Sequence, residues 1–136
     1  MILIVCVDDE MGMAFNGRRQ SRDRVVCRDM AALADGEPIL MSERSLKLFE
    51  GMEGRFHAEE GGMERAGAGE FCFIEFEPVE KMADRAEKII LYRWNRRYPA
   101  DLYCSIPLET WNLKETTEFP GYSHELITRE VYVRER

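Results

Sequence analysis

Residues 1–9, MILIVCVDD, open the chain with an unbroken apolar, largely β-branched run that stops on two acids. A run of this kind suits a strand buried on both faces, as at the centre of a parallel sheet. A loop with Gly12, Asn16 and Gly17 follows. The spacing of Val26, Met30 and Leu33 then predicts a helix over 22–34, with Ser21 as its cap and Gly36 as its stop. PILM at 38–41 reads as a second strand, and Ser42 or Ser45 caps a helix carrying Leu46, Leu48, Phe49 and Met52. Strands are expected at 55–58 and at 70–76, EFCFIEF, with a weak helical stretch at 59–66 between them. Pro78 suits the first turn of a helix to residue 86, and KIILYRW at 88–94 is another buried strand. Later strands fall at 102–106, 111–118 and 130–134.

Strands alternating with helices through residue 94 imply βαβ units. The predicted fold class is α/β: residues 1–136 as a single domain, a mostly parallel sheet flanked by helices, with an antiparallel C-terminal hairpin. Ile2, Ile4, Val26, Met30, Ile39, Leu40, Phe73, Ile89, Leu91 and Val131 are the predicted core. The 136 residues are 45% hydrophobic and 33% charged, which excludes a disordered chain. A net charge of −7 argues against a generic nucleic-acid coat or a polybasic membrane anchor. Residues 50–87 hold eleven acids against four bases, so that segment carries the whole excess and leaves room for a local basic site. Cys6, Cys27, Cys72 and Cys104 form no C-x-x-C pair and read as buried free thiols. With neither a secretory segment nor a bilayer-length apolar run, a cytoplasmic protein without membrane contact is expected.

Several of these segments, in order, resemble the dihydrofolate reductase family. ILIVCVDDEMGMAFNG is similar to that family's opening strand, aspartate, glycine-containing loop and asparagine. PILMSERSLKLF resembles its second strand and following helix. KIILYRW, DLYCSIPLETWNLKETTEF and SHELITREVYVRER are similar to its last parallel strand and final hairpin, with Trp111 at the expected place. The resemblance covers nearly the whole chain and implies the family's fold and, for an ordinary member, NADPH-dependent reduction of a pterin.

Three departures from the family's pattern shift the functional expectation. Family members follow the fifth strand with consecutive glycines, which let backbone N–H groups approach the cofactor phosphates. Here the same place reads Glu75, Phe76, Glu77 and Pro78. A carboxylate about 5 Å from a phosphate costs roughly 3 kcal/mol at an effective dielectric near 20, about two decades of affinity. NADPH is therefore disfavoured and no cofactor is expected. Glutamate in a first helical turn also favours the helix dipole, which accounts for these acids without a ligand. Second, the family's phosphate-recognising glycine–arginine pair reads Ser42-Glu43, with Arg44 and Ser45 directly after. Third, Arg18-Arg19-Gln20-Ser21-Arg22 replaces the family's tryptophan and prolines. The resemblance maps the pterin-contacting acid to Asp23 only across a short gap, and an acid there also suits a helix start.

In an open α/β sheet the ligand crevice lies beyond the carboxyl ends of the parallel strands. Two arginine-rich segments should reach it: Arg18, Arg19, Arg22, Arg24 and Arg28, and Arg93, Arg96 and Arg97, the latter interleaved with Tyr92, Trp94 and Tyr98. Guanidinium forks bind phosphate and aromatic faces stack rings, so an anionic small molecule, a nucleotide or a short stretch of RNA is the expected ligand. The expected contact set is Arg18, Arg19, Arg22, Asp23, Arg44, Ser45, Tyr92, Arg93 and Arg96. Solvated or ion-paired arginines are the competing account, and a non-catalytic interaction or regulatory module on the same scaffold is the competing function. His57 and His124 are the only histidines, too few for a zinc-dependent nuclease, and no metal site or catalytic residue is assigned.

Overall fold

The computed structural model describes residues 1–59 and 66–134. The opening run forms β1 (Ile2–Val7), and its position explains its composition. It lies between β6 (Phe71–Phe73) and β7 (Lys88–Arg93), parallel to both, with Leu3, Ile4, Val5 and Val7 fully buried. Water reaches neither face, so neither face tolerates polar alternation.

Among the described residues the main sheet has seven strands in the order β5-β4-β6-β1-β7-β10-β9. β4 (Ile39–Met41) runs parallel to both β5 (Phe56–Ala58) and β6. The exceptions to parallel pairing are β10 (Ile127–Arg134), antiparallel to β7, and β9 (Trp111–Phe119), antiparallel to β10. The expected mixed sheet with a C-terminal hairpin is what the chain builds. Two apolar layers cover it. On one face α1 (Arg24–Ala34) packs Val26, Cys27, Met30 and Ala34 against Ile4, Phe73, Ile90 and Tyr92. On the other, Val79 and Met82 and Ala83 of α3 (Glu80–Ala83) pack against Leu3, Val5, Ile89 and Leu91. All ten predicted core residues are buried.

The differences from the sequence reading are local. The cap of α1 is Asp23 rather than Ser21: its carboxylate accepts from the Val25 N–H, and Ser21 lies in the irregular link before it. The helix stops on Asp35 in the left-handed region, φ 47°, one residue before Gly36. The helix after β4 is a single turn, α2 (Glu43–Leu46), continued as a 3₁₀ turn at Lys47–Phe49. The strand at 70–76 is limited to Phe71–Phe73, and α3 starts after Pro78. Of 102–106, only Leu102–Tyr103 is a strand, β8, and it joins a separate small sheet with β2 (Gly12–Phe15) and β3 (Arg18–Arg19). The expected helical stretch at 59–66 lies outside the described residues except for its two ends.

The loop after β1 is more ordered than expected. Asn16 and Gly17 both take positive φ, 52° and 72°, and link β2 to β3 as a two-residue hairpin. Asn-Gly is the dipeptide such a turn favours, because both central residues must be left-handed. This turn places Arg18 opposite Phe15.

Truncating Leu91 in the double-faced centre should cost about 2–5 kcal/mol. Truncating Leu113, half exposed on the edge strand β9, should change stability by less than about 0.5 kcal/mol. Urea unfolding of Leu91→Ala and Leu113→Ala checks this; equal losses would contradict the layer assignment.

Candidate functional site

The crevice end of the sheet is where β1, β4, β6 and β7 terminate, and two adjoining features are built there. The first is a cationic cleft of about 510 Å³ lined by Arg18, Arg19, Ser21, Arg22, Arg44, Lys47 and Phe76. The β2–β3 hairpin supplies Arg18 and Arg19, the link to α1 supplies Ser21 and Arg22, and α2 with its 3₁₀ turn supplies Arg44 and Lys47. No carboxylate lines this cleft among the described residues. Glu75 sits behind it: Arg19 donates to both its oxygens at 2.8 and 2.9 Å, and the buried Ser45 hydroxyl donates to Oε1 at 2.8 Å. Arg44 donates to the Gly17 carbonyl and stacks on Phe76, 3.8 Å from the ring centroid. Glu75 and Phe76, just beyond β6, thus orient two arginines.

The second feature is a buried polar network beside the first. Asp23 Oδ1 accepts from the N–H groups of Val25 and Tyr122, each at 2.9 Å. Its Oδ2 accepts from the Ser123 N–H at 2.9 Å and from His124 Nδ1 at 2.9 Å. Burial alone would raise this carboxyl, but the donors from Tyr122, His124, Ser123 and Val25 outweigh it and hold it well below the usual carboxylate range. Gly121 makes the approach possible, since a Cβ there would lie 2.6 Å from Asp23 Oδ2. The His124 ring is stacked on Trp94 with centroids 4.7 Å apart. Because an ionised carboxylate only accepts, Nδ1 carries a proton, and in the neutral ring Nε2 keeps its lone pair. Nε2 meets two hydroxyls: Ser21 Oγ at 3.1 Å and Tyr98 at 3.0 Å.

The residues expected in one site divide accordingly. Arg18, Arg19, Arg22 and Arg44 converge on the cleft. Ser45 stands behind it on Glu75, and Asp23 belongs to the histidine network. Tyr92, Arg93 and Arg96 are engaged elsewhere. Tyr92 is buried and donates to Asp29 Oδ2 at 2.6 Å; burial and that carboxylate push its hydroxyl far above the usual tyrosine range. Arg93 pairs with Glu130 at 2.8 Å on the opposite face of the sheet, because alternate residues of β7 point to opposite sides. Arg96 is exposed and donates to the Ser123 carbonyl. Sequence reasoning missed Ser21, Tyr98 and His124 as partners, because Ser21 and His124 are 103 positions apart and no local spacing marks them. It also missed Lys47 and Phe76 as cleft walls.

The other reactive groups nearby are subdued. Burial, then the charges of Glu75 and Asp23, push the Cys27 thiol up to about 12. The space bounded by Cys6, Asp23, Val26, Met30, Phe73 and Trp94 is only about 10 Å³, room for roughly one water. Asp8, at the end of β1, accepts from the N–H groups of Glu10, Gly12 and Tyr98 and serves as a loop anchor. Among the described residues no cluster of three or more metal-ligating side chains occurs.

No family model matches the chain, and no curated protein does. Among solved structures it is similar to dihydrofolate reductase from Enterococcus faecalis complexed with NADP(H) and RAB-propyl. The TM-score is 0.70 at 9% identity, over 99% of this chain and 96% of that one. The chain therefore has a dihydrofolate reductase-like fold, and at this identity the likeness extends to the fold alone.

Asp23 links stability to pH. Its folded pKa is depressed from an unfolded value near about 3.9. Its contribution is fully present above that value and is lost as pH falls toward the folded one. Asp23→Asn should cost about 3 kcal/mol at pH 7 and flatten the loss of stability below about pH 4. Urea unfolding across pH 3–7 checks it; parallel pH profiles for variant and parent would contradict the assignment.

Proposed function

We propose that this chain binds a small phosphate-bearing anion, such as a nucleotide, in the cationic cleft, and that it has given up ordinary NADPH binding. One observation carries the reading: five cationic side chains from separate segments line a single cleft, in a protein of net charge −7. Holding like charges together is unfavourable unless counter-charge is supplied. Glu75 supplies it for Arg19 from behind, while Arg18, Arg22, Arg44 and Lys47 have no ion pair among the described residues. A bound phosphate would supply the rest through charge-assisted hydrogen bonds, each worth about 1.5–3 kcal/mol.

The turn after β6 supports the second half of the reading. Residues 70–78 contain no glycine, and Glu75 and Phe76 stand where consecutive glycines would leave backbone open to a diphosphate. The residues present fit that group poorly, through both like charge and bulk. The competing interaction-module reading draws on Tyr122 and Leu126, which are 68% and 41% exposed at this end of the molecule.

Thermal-shift and calorimetric titration with pyrophosphate, ADP and NADPH tests the proposal. Pyrophosphate and ADP should raise the melting point, by about 2.7 kcal/mol equivalent at a hundred times Kd. The double variant Arg18→Glu/Arg22→Glu should weaken binding at least tenfold. Flat shifts for all three at millimolar concentration would overturn the cleft reading. NADPH bound with micromolar Kd, and much more tightly than ADP, would overturn the loss of the dinucleotide.

A further inference from the structure

We propose that Ser21, His124 and Asp23 are a nucleophile, base and orienting acid, and that the chain hydrolyses carboxylic esters bearing an anionic group. The preference for an anionic substrate rests on the cleft reading above; the triad itself does not.

The geometry is that of an activated hydroxyl. Ser21 Oγ lies 3.1 Å from His124 Nε2, and His124 Nδ1 lies 2.9 Å from Asp23 Oδ2. Both distances fall within the reach expected for a nucleophile–base pair and its orienting group. Such triads are recognised by geometry and roles rather than by chain order. Everything behind the serine is fixed. His124 is 3% exposed with its ring stacked on Trp94, and the aspartate is held by three backbone N–H groups. Only the serine end is open: Ser21 is half-buried and lines the cationic cleft.

Two further groups complete the arrangement. The Tyr98 hydroxyl lies 3.2 Å from Ser21 Oγ and 3.0 Å from His124 Nε2; when it donates to Ser21 Oγ the serine proton is the one left for Nε2, so Tyr98 is a positioning residue. The backbone N–H groups of Ser21 and Arg22 make no hydrogen bond to the described residues, and they are the candidate oxyanion donors. Arg22, next in sequence, also lines the cleft, so an anionic group held there lies close to the nucleophile. The buried thiol of Cys27, pushed up to about 12, does not compete.

The reaction balances with water alone. Ser21 Oγ attacks the ester carbonyl carbon as its proton passes to His124 Nε2, and the carbonyl pair moves onto oxygen. The pair returns, the C–O bond to the alcohol breaks, and the alcohol leaves with the proton from Nε2. Water then attacks the acyl–serine ester, giving a proton to Nε2, and the serine oxygen recovers it as the acid departs. Asp23 stays ionised throughout.

The test uses the whole chain with p-nitrophenyl acetate, mono-p-nitrophenyl glutarate and a fluorophosphonate probe followed by peptide mass mapping. Wild-type protein should acquire the probe on Ser21. It should release p-nitrophenol at least tenfold faster than Ser21→Ala or His124→Gln, with each variant's fold checked by near-ultraviolet circular dichroism. The glutarate ester should react faster than the acetate. Absence of a Ser21 adduct in wild type would overturn the triad whatever the variants do. So would ester hydrolysis no faster than in a folded Ser21→Ala. A Ser21 adduct with no preference for the anionic ester would support the triad and overturn its link to the cleft. Failure of anion binding in the earlier titration would overturn the cleft reading separately.

Discussion

The carboxylate of Asp23 joins parts of the chain that nothing local would bring together. It caps α1 through the Val25 N–H and, through its remaining acceptor positions, holds the Tyr122, Ser123 and His124 segment about a hundred residues away. An ionised carboxylate with no exposed side-chain surface is tolerated only because every direction around it offers a donor. Its demands extend outward. Gly121 must lack a side chain for the segment to approach, and His124 must present Nδ1. Trp94 supplies the flat surface on which the ring rests, which leaves Nε2 facing Ser21 and Tyr98. The geometry of the crevice wall follows from this single buried charge.

Glu75 plays the corresponding part for the cleft. A lone carboxylate at the end of β6 would be costly to bury, and its fork onto Arg19, reinforced by Ser45, offsets that cost. The same pairing fixes Arg19 and, through Phe76, steadies Arg44. The turn after β6 thus organises cations through its acid and its aromatic ring. The fold is shared with a solved dihydrofolate reductase, and a shared fold does not by itself carry over the chemistry of a site.

Residues near one another in sequence parted company where strand geometry intervened. Tyr92 and Arg93 are consecutive, yet Tyr92 faces α1 and Asp29 while Arg93 faces Glu130 across the sheet. A two-residue repeat admits no other outcome. The arginines of the β2–β3 hairpin and of α2 are distant in sequence, yet they share a wall because the Asn16–Gly17 turn and the Ser42 cap bring their segments to the same end of the sheet.

The amino-acid sequence by itself determined the double-faced β1, the helical stripe of Val26 and Met30, the β7–β10–β9 ending and all ten core positions, because hydrophobic periodicity is a local record of which faces water reaches. It also carried the placement of Arg18, Arg19 and Arg22 at the crevice, through the position of the loop after β1 in an open sheet, whereas Arg44 entered through the family resemblance at residues 42–45. Only the tertiary structure decided that Asp23 faces His124, that Arg93 is turned away, and that Ser21 meets an imidazole rather than capping a helix. The two contacts of His124 depend on hydrogen bonds between residues about a hundred positions apart, and the partner of Arg93 lies 37 positions away. A single polar residue has no period, so its partner is settled only when packed elements close around it.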